Sequence, residues 1–431
     1  MYFALLVSLG AALVADAAES RNVLYYDQWH TTNTPPTSKT KAVTHVMMSF
    51  ANSSVFAGLP VPEYKPFKPL NEVRELFDHK VNICLAVGGW GDNIGFDASI
   101  QTDLSIANFA KNLSITLDRF GFDCVDIDWE YPGGNGENYK QTKENENANQ
   151  VEQFPTLLQE IKHSIGAKEL SIAVPGLERD MIAYVPDVAS KIAKAVDFIN
   201  IMSYDLMNRR DSLTTHHTSV QGTVSAVDSY ISLGFPASKL VVGIPFYAKW
   251  FTTKKGHTCS QPTGCPTELL ENDDGSDTGK SGAITFEASN FAEPPAELML
   301  SPDGTCGTGT SFKCAEGSCC APSGWCGSTP EHCNIGCQVP YGRCDGVDVL
   351  KSFRKAVENG QTDDEKSAQW YWDAQTEIFW SWDTPDLIQK KIRLLAETRG
   401  IKSVMAWSLA QDSHDWSHLK AMQTVFVAVN A

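Results

Sequence analysis

Acidic residues alternate with mostly apolar ones at residues 123–130, whose sequence is DCVDIDWE. In a strand, side chains at every second position share a face, so Asp126, Asp128 and Glu130 are expected to project together. Like charges this close cannot all ionise cheaply, and at least one carboxyl keeps its proton near neutral pH. That proton can be given to a leaving oxygen, which predicts general acid catalysis by Glu130. A solvated or calcium-binding strand is the alternative, which the apolar surroundings disfavour.

The elements that must position these carboxyls appear as short apolar runs separated by helical patterns. Most runs are rich in Val, Ile and Leu without alternation, which is typical of parallel strands covered on both faces. Eight such units predict an α/β fold, a closed (β/α)8 TIM barrel whose active site lies at the carboxyl ends of its strands. The runs are Val23–Tyr26, Val43–Phe50, Val81–Val87, Cys124–Trp129, Leu170–Val174, Phe198–Met202, Leu240–Phe246 and Val404–Trp407.

The spacing of the runs breaks once, between the seventh and the eighth. About 150 residues intervene there, more than a βα loop needs, and their content of Pro, Gly and Cys is high. This pattern predicts an insertion between strand 7 and helix 7. Because the barrel resumes afterwards, both ends of the insertion should lie close together on the face where the strands end.

Charge and the first residues indicate the compartment and exclude some ligands. The 431 residues carry a formal net charge of -17. Because an acidic surface repels phosphate, we expect no nucleic acid partner. A neutral polymer is compatible with this charge as a ligand. Residues 1–18 contain an apolar run followed by small residues, which is typical of a secretory signal peptide. The run is too short to span a bilayer, and no second candidate follows. We therefore expect a secreted, extracellular monomer with no membrane association.

Twelve cysteines occur in the chain, and eight of them lie within residues 306–344. This density predicts a disulfide framework, for which roughly a hundred pairings are possible. A zinc site is the alternative, but export and an adjacent Cys-Cys pair favour disulfides. Cys259 and Cys265 are predicted to close a separate small loop. Cys84 and Cys124 lie in apolar runs, where an inert buried thiol is at least as plausible as a bond.

The acidic octapeptide resembles the DxxDxDxE signature of family 18 glycoside hydrolases, which include the chitinases. Further segments resemble strand-end motifs of that family in the same order, and the resemblance covers essentially the whole barrel. It implies substrate-assisted retention, in which the acetamido oxygen of the bound sugar attacks its own anomeric carbon while Glu130 protonates the glycosidic oxygen. No cofactor and no metal are implied. The further segments are residues 25–29, 49–51, 88–90, 202–205 and 406–408.

The same resemblance implies roles for other residues. Asp128 would hydrogen-bond the acetamido N–H, with Asp126 beneath it sharing the proton or balancing the charge. Tyr204 would hold the acetamido group in line, assisted by Asp205. The implied sugar contacts are Trp407 under the reacting ring, Trp29 at a more distant sugar, and Tyr25, Phe50, Gly89, Trp90 and Met202 around the pocket.

Three positions depart from the family pattern. Ala86 stands where the family has a serine before its glycine pair, and Arg210 stands where a tryptophan often flanks the leaving group. Lys249 replaces the arginine that usually follows the seventh strand. These departures leave stacking on the leaving-group side, and the usual role of the arginine, unassigned.

The insertion resembles two known units. Residues 282–288 and 370–383 resemble the small α+β domain that walls one side of the cleft in deep-groove family members. Residues 306–344 resemble a hevein-type chitin-binding module, in which Trp325 matches an aromatic sugar platform. The alternative is a disulfide-stabilised structural module that does not bind sugar. The module's pairing would be Cys306–Cys320, Cys314–Cys326, Cys319–Cys333 and Cys337–Cys344.

These readings predict a chitinase that acts on the β-1,4 bonds of chitin or chito-oligosaccharides. A chitin-binding lectin on the same fold would normally have lost the acid, and Glu130 is intact. An endo-β-N-acetylglucosaminidase acting on glycoprotein glycans could use the same chemistry, but the hevein-like segment favours chitin. The expected organisation is a signal peptide at 1–18, a catalytic barrel at 22–250 and 375–425, an insertion domain at 251–374, and the hevein-like module at 306–344.

Overall fold

The computed structural model describes residues 20–58, 63–77, 80–142, 147–334 and 336–431. The predicted signal peptide lies outside the described residues. Eight parallel strands close into a barrel in which chain neighbours pair and the last strand returns to the first, which confirms the predicted fold class. Numbered with all strands in chain order, the barrel strands are β1 (Asn22–Asp27), β2 (His45–Ala51), β3 (Asn82–Gly88), β4 (Cys124–Asp128), β5 (Glu169–Pro175), β6 (Phe198–Met202), β7 (Leu240–Pro245) and β17 (Ser403–Trp407).

Side chains alternate between two cores along each barrel strand. On β4, Val125 and Ile127 point outward and pack in the large core beneath the helices. Cys124 points inward, into a smaller core with Tyr25 and Met47. Because the strand period is two, Asp126 and Asp128 share the inward face with Cys124.

Helices cover the outside of the barrel, and their ends follow capping chemistry. Helix α4 (Asp103–Phe120) begins after Thr102, whose hydroxyl accepts a hydrogen bond from the Ser105 amide, and it ends at Gly121 with a positive φ of 78°. A cap of this kind contributes about 1 kcal/mol. The barrel helices are α1 (Ser54–Ala57), α2 (Leu70–Arg74), α3 (Ile94–Ser99), α4 (Asp103–Phe120), α5 (Ala148–Ile165), α6 (Pro186–Ala195), α7 (Val220–Ser232), α11 (Pro385–Arg399) and α12 (Ser417–Asn430).

The insertion lies between β7 and α11, and it contains a five-stranded sheet in the order β14-β15-β16-β8-β9. Helix α10 packs on this sheet, with Phe353 against Trp380. The insertion strands are β8 (Tyr247–Thr252), β9 (Ser281–Thr285), β14 (Gln361–Asp363), β15 (Ala368–Asp373) and β16 (Ile378–Trp382). Its helices are α8 (Ala288–Phe291), α9 (Pro330–Cys333) and α10 (Val349–Asn359).

The boundaries between the barrel and the insertion differ from the predicted ones. The expected domain limits placed residues 247–250 and 378–382 in the barrel, although residues 370–383 were also matched to the small α+β domain. In the structure both segments belong to neighbouring strands of the small sheet, as in Trp380 opposite Trp250. The difference arises because β8 follows β7 almost without a break. One apolar stretch of sequence therefore contains the end of a barrel strand and the start of an insertion strand.

The cysteine-rich module consists of short strands held by disulfides. All twelve cysteines of the chain are bonded, so none of them is a free thiolate available for zinc. Cys84 and Cys124, opposite each other on β3 and β4, form a bond inside the barrel. The other pairs are Cys259–Cys265, Cys306–Cys320, Cys314–Cys326, Cys319–Cys333 and Cys337–Cys344, the pairs that the sequence reading proposed. The module's strands are β10 (Met299–Leu300), β11 (Phe312–Lys313), β12 (Cys319–Cys320) and β13 (Cys326–Gly327).

Within the part of the chain that the structure describes, no helix has both the length and the apolar character needed to cross a membrane.

Candidate active site

A cavity of about 490 Å³ opens at the carboxyl ends of the barrel strands. Strand β4 ends at Asp128, and Glu130 follows at the mouth, so both carboxyls line this cavity. Asp126 lies one step deeper in the barrel and is fully buried. The three acids are therefore stacked from the barrel interior toward the opening, as the strand period predicts.

Two glycines allow β3 to approach the end of β4 closely. Gly88 has a φ of +113°, and a Cβ on it would lie 2.0 Å from the Asp128 carbonyl oxygen. The next residue, Gly89, donates its amide to that same oxygen at 2.8 Å, and a Cβ on it would press against the Phe50 ring. A side chain at residue 88 would therefore displace the backbone that carries Asp128, and one at residue 89 would displace the Phe50 ring.

Asp126 is held by three side chains that reach it from other strands. Its Oδ2 accepts a hydrogen bond from the Tyr25 hydroxyl at 2.7 Å. Its Oδ1 accepts from the Ser171 hydroxyl at 2.6 Å and from the Asn200 amide at 3.2 Å. Burial raises the pKa of Asp126, although these hydrogen bonds oppose the shift. This arrangement fixes the carboxyl below Asp128 in one orientation.

Asp128 and Glu130 both favour the protonated state. Burial raises the pKa of Asp128 well above its usual range, and the charges of Glu130 and Asp126 add to the effect. Burial also raises the pKa of Glu130 to about 8. Asp128 Oδ1 is buried and has no hydrogen-bond partner. An unpartnered buried oxygen at a cavity wall is a position where a polar ligand group can bind.

Asp205 has the opposite electrostatic setting, although it lines the same cavity. Burial opposes its ionisation, but the Lys249 ammonium at 3.0 Å, the nearby His217 and the Tyr247 hydroxyl at 2.7 Å hold its pKa below the usual range. Lys249 thus supplies the positive charge at the position where the family pattern has arginine. A fixed carboxylate beside protonated Glu130 also disfavours loss of the Glu130 proton.

Aromatic rings form the floor and one side of the cavity. Trp407 stacks on Phe50 with ring centroids 5.6 Å apart and an interplanar angle of 19°. Phe50 meets Trp29 edge to face at 6.4 Å. Trp29 is 63% exposed and Trp90 48% exposed, so both present free ring faces to solvent. Such a row of flat rings suits the apolar faces of sugar rings.

The structure brings together in this cavity nearly all of the side chains that sequence analysis selected. Trp325 is one of two exceptions, because it lies on the cysteine-rich module, where it is 53% exposed. Asp126 sits beneath the cavity rather than in its wall. The predicted residues that line the cavity are Tyr25, Trp29, Phe50, Gly89, Trp90, Asp128, Glu130, Met202, Tyr204, Asp205 and Trp407.

Three further residues that hold the carboxyls were not among the predicted site residues. Ser171 and Asn200 bind Asp126, and each is a polar residue inside an apolar strand run, which was a usable signal. Tyr247, which binds Asp205, lies in the Tyr247-Ala248-Lys249 segment that replaces the family's Tyr-Gly-Arg motif, so its signal was the family resemblance rather than a local pattern.

A second cavity of about 310 Å³ continues from the first on the far side of Glu130. It shares Glu130, Tyr204 and Trp90 with the first cavity, but Trp407, Phe50 and Trp29 do not line it. Arg209 and Arg210 form part of its wall. Glu130 therefore lies between two compartments, one lined by stacked rings and the other by charged side chains.

The geometry agrees with a comparison against known families. Residues 21–412 match the family model of glycosyl hydrolases family 18. The chain belongs to that family. The matched range contains all eight barrel strands, the inward acids of β4 and the strand-end aromatic residues.

The sequence identity between this chain and individual relatives is low. The chain is 28% identical over 267 residues to a chitinase-like effector of Moniliophthora roreri, a match covering 58% of this chain and 64% of that protein. It is 27% identical over 279 residues to Endochitinase 1 of Metarhizium robertsii, covering 54% and 62%. The matches thus span less than two thirds of these relatives. The crystal structure of a chitinase from Rhizomucor miehei superposes with a TM-score of 0.64 at 21% identity, covering 94% of this chain and 99% of that one.

Proposed function

We propose that this protein is a secreted chitinase that hydrolyses the β-1,4 bonds of N-acetylglucosamine polymers by substrate-assisted retention, with Glu130 as the general acid. The observation that carries the proposal is the position and state of Glu130. It stands between two compartments of one cleft, and its pKa of about 8 keeps it protonated at neutral pH. A protonated carboxyl beside a cleft that fits sugar rings can donate to a glycosidic oxygen.

The proposed reaction has two steps. In the first, the sugar lies on Trp407, its acetamido oxygen attacks its own anomeric carbon, and Glu130 gives its proton to the departing oxygen. The bond from the anomeric carbon to that oxygen breaks, and a bicyclic oxazolinium ion forms. In the second, water attacks the anomeric carbon, the bond from that carbon to the acetamido oxygen breaks and restores the acetamido group, and the Glu130 carboxylate takes a proton from the water. Two inversions give retained configuration, and the proposal requires no cofactor or metal.

Asp128 and Tyr204 are the proposed partners of the acetamido group. The unpartnered Asp128 Oδ1 can accept the acetamido N–H, which aligns the carbonyl oxygen and stabilises the positive charge that develops. Asp126, held by Tyr25, Ser171 and Asn200, lies beneath Asp128 and can balance that charge. The Tyr204 side chain lines the cavity beside both acids.

Chitin is favoured over glycoprotein glycans because of the cysteine-rich module, whose sequence resembles chitin-binding modules. The names of the relatives agree, since both contain the word chitinase. A chitin-binding protein without activity is the alternative, and one relative is called chitinase-like. The presence of Glu130 with a raised pKa favours the enzyme.

The proposed function is tested by incubating the protein with colloidal chitin and, separately, with a high-mannose glycopeptide. We expect chito-oligosaccharides from chitin, β-configured when first formed, and no release of glycan from the glycopeptide. Glycan release without chitin hydrolysis would move the assignment to an endo-β-N-acetylglucosaminidase. Chitin binding without hydrolysis would move it to a lectin.

The cysteine-rich module is expected to attach the protein to solid chitin through Trp325. Trp325 is a half-exposed ring on a module with no extensive apolar core, and stacking on it is worth about 1 kcal/mol. Trp325→Ala should therefore weaken adsorption to solid chitin and slow its hydrolysis, while kcat/KM on a short oligomer stays within about twofold. Unchanged adsorption would mean that the module is a structural element, leaving the catalytic assignment intact.

A further inference from the structure

The second cavity is the compartment for the leaving group, if the proposed function holds. The reacting sugar occupies the side of Glu130 that has Trp407 as its floor, so the departing sugar must lie on the other side. That side is the cavity of about 310 Å³. Such a volume is at the lower limit of small-molecule sites, which span roughly 300–1,000 Å³. The compartment therefore suits a short leaving group.

The wall of this compartment is held from behind by Glu271, a buried residue of the insertion. Glu271 Oε1 accepts from Arg209 Nε at 3.2 Å, and its Oε2 accepts from the Tyr139 hydroxyl at 2.5 Å and lies 3.1 Å from Lys140 Nζ. Arg209 lines the cavity, whereas the other three residues do not. One carboxylate thus joins the loop after β6, the loop after β4 and the insertion.

Further contacts join the loop after β4 to the insertion and to the loop after β6. Lys140 Nζ donates to the Asn272 carbonyl at 2.6 Å, and Gln141 donates to the Asp274 carbonyl. The Arg210 guanidinium lies 3.7 Å from the centre of the Tyr139 ring. The loop after β4 is therefore tied to the insertion at several consecutive residues.

The aromatic residue on the opposite side of the cleft also meets this wall. Arg209 Cζ lies 5.9 Å from the centre of the Trp90 ring, and Trp90 lines both cavities. Arg210 donates to the carbonyls of Asn135 and Gly136 at 2.9 Å and pairs with Asp180 at 3.4 Å. Both arginines are thus fixed by carboxylates and backbone rather than left free to move aside.

The chemistry of Glu271 suits a permanent bridge. Burial opposes its ionisation, but hydrogen bonds from Tyr139, Lys140 and Arg209 outweigh this effect and lower its pKa. It therefore carries its charge at neutral pH. A buried carboxylate with three donors is costly to disrupt, because removing it leaves its partners unpaired.

We propose that Glu271 determines the length of the leaving group, by holding Arg209 directly and Arg210 through the Tyr139 ring as a terminal wall that admits only one or two sugars beyond the scissile bond. The leaving group carries the reducing end of the chain. The protein would then cut close to the reducing end and release short fragments from it.

The test uses chitohexaose labelled at its reducing end, with the length of the labelled product as the readout. For the wild-type protein, we expect labelled mono- and disaccharide to exceed longer labelled products by about fivefold. Glu271→Ala should raise the longer labelled products several-fold relative to the short ones. Glu271→Gln keeps the shape of the side chain but not its charge, so its ratio of long to short labelled products should lie between those of the wild-type protein and Glu271→Ala. Asp228→Ala, which removes an exposed carboxylate bound to Arg399 by two hydrogen bonds of 2.8 Å, is the matched control and should leave the ratio unchanged.

The outcomes separate this inference from the proposed function. If the wild-type protein releases mainly labelled trisaccharide or longer products, the inference is wrong whatever the variants do. If both Glu271 variants keep the wild-type ratio, the wall does not depend on Glu271 and the inference is again wrong. If the wild-type protein leaves the hexamer uncut, the proposed function itself fails.

Discussion

Glu130→Gln is expected to lower kcat on a chito-oligosaccharide by at least about a hundredfold while the Kd for the oligosaccharide stays within about twofold. Glutamine has nearly the same shape, so the contacts around residue 130 survive, but its amide cannot supply a proton to the glycosidic oxygen. The measurement is steady-state hydrolysis together with calorimetric binding at a temperature where both proteins are folded. Glu397→Gln, at an exposed position of α11, is the matched control and should leave both quantities unchanged.

The pH profile adds a second readout for the same residue. A general acid must carry its proton, and burial raises the pKa of Glu130 to about 8. The kcat/KM of the wild-type protein should therefore hold at neutral pH and fall as the pH rises through about 8. The residual activity of Glu130→Gln should not show this alkaline fall. Near-normal turnover in the variant, or the same alkaline fall in both proteins, would remove Glu130 from its role.

Asp128→Asn is expected to lower kcat/KM by about a hundredfold or more, by a different route. Wild-type Asp128 can pass its proton to Asp126 and so supply the negative charge that stabilises the oxazolinium ion, whereas the asparagine of the variant stays neutral. A stable thiazoline analogue of that ion should therefore lose affinity, whereas an unreacted oligosaccharide should lose little. Asp118→Asn, at a largely exposed carboxyl of α4, is the control.

The two ligands distinguish this role from a structural one. If the thiazoline and the oligosaccharide lose affinity equally, Asp128 shapes the cavity but does not stabilise the developing charge. If neither affinity nor kcat/KM changes, the acetamido group has another partner.

The sequence was sufficient to predict the carboxyls because strand periodicity is a local property. Once residues 124–128 are a strand, the inward direction of Asp126 and Asp128 follows from the pleat. The barrel followed in the same way from repeated apolar runs. The cysteine pairs of the module came from family resemblance, since spacing alone left many pairings open.

Contacts between distant parts of the chain could not be predicted from the sequence. Glu271 lies 132 positions from Tyr139, and no local pattern connects the two. The bond between Cys84 and Cys124 required the register of β3 against β4, which neither run specifies by itself. The charge state of Asp205, in the loop after β6, depends on Lys249 of the insertion strand β8. Each of these features belongs to the assembled barrel rather than to a segment.

The most direct test of the account is the dependence of the Glu130→Gln defect on the leaving group. A phenol that departs as a stable anion needs little help from an acid, whereas a weakly acidic phenol needs a proton. Hydrolysis of dinitrophenyl and methylphenyl chitobiosides by the wild-type protein and Glu130→Gln gives one loss factor for each substrate. We expect a loss of at least about a hundredfold for the methylphenyl substrate and about tenfold or less for the dinitrophenyl substrate. Equal losses for the two substrates would contradict the assignment of Glu130 as the proton donor.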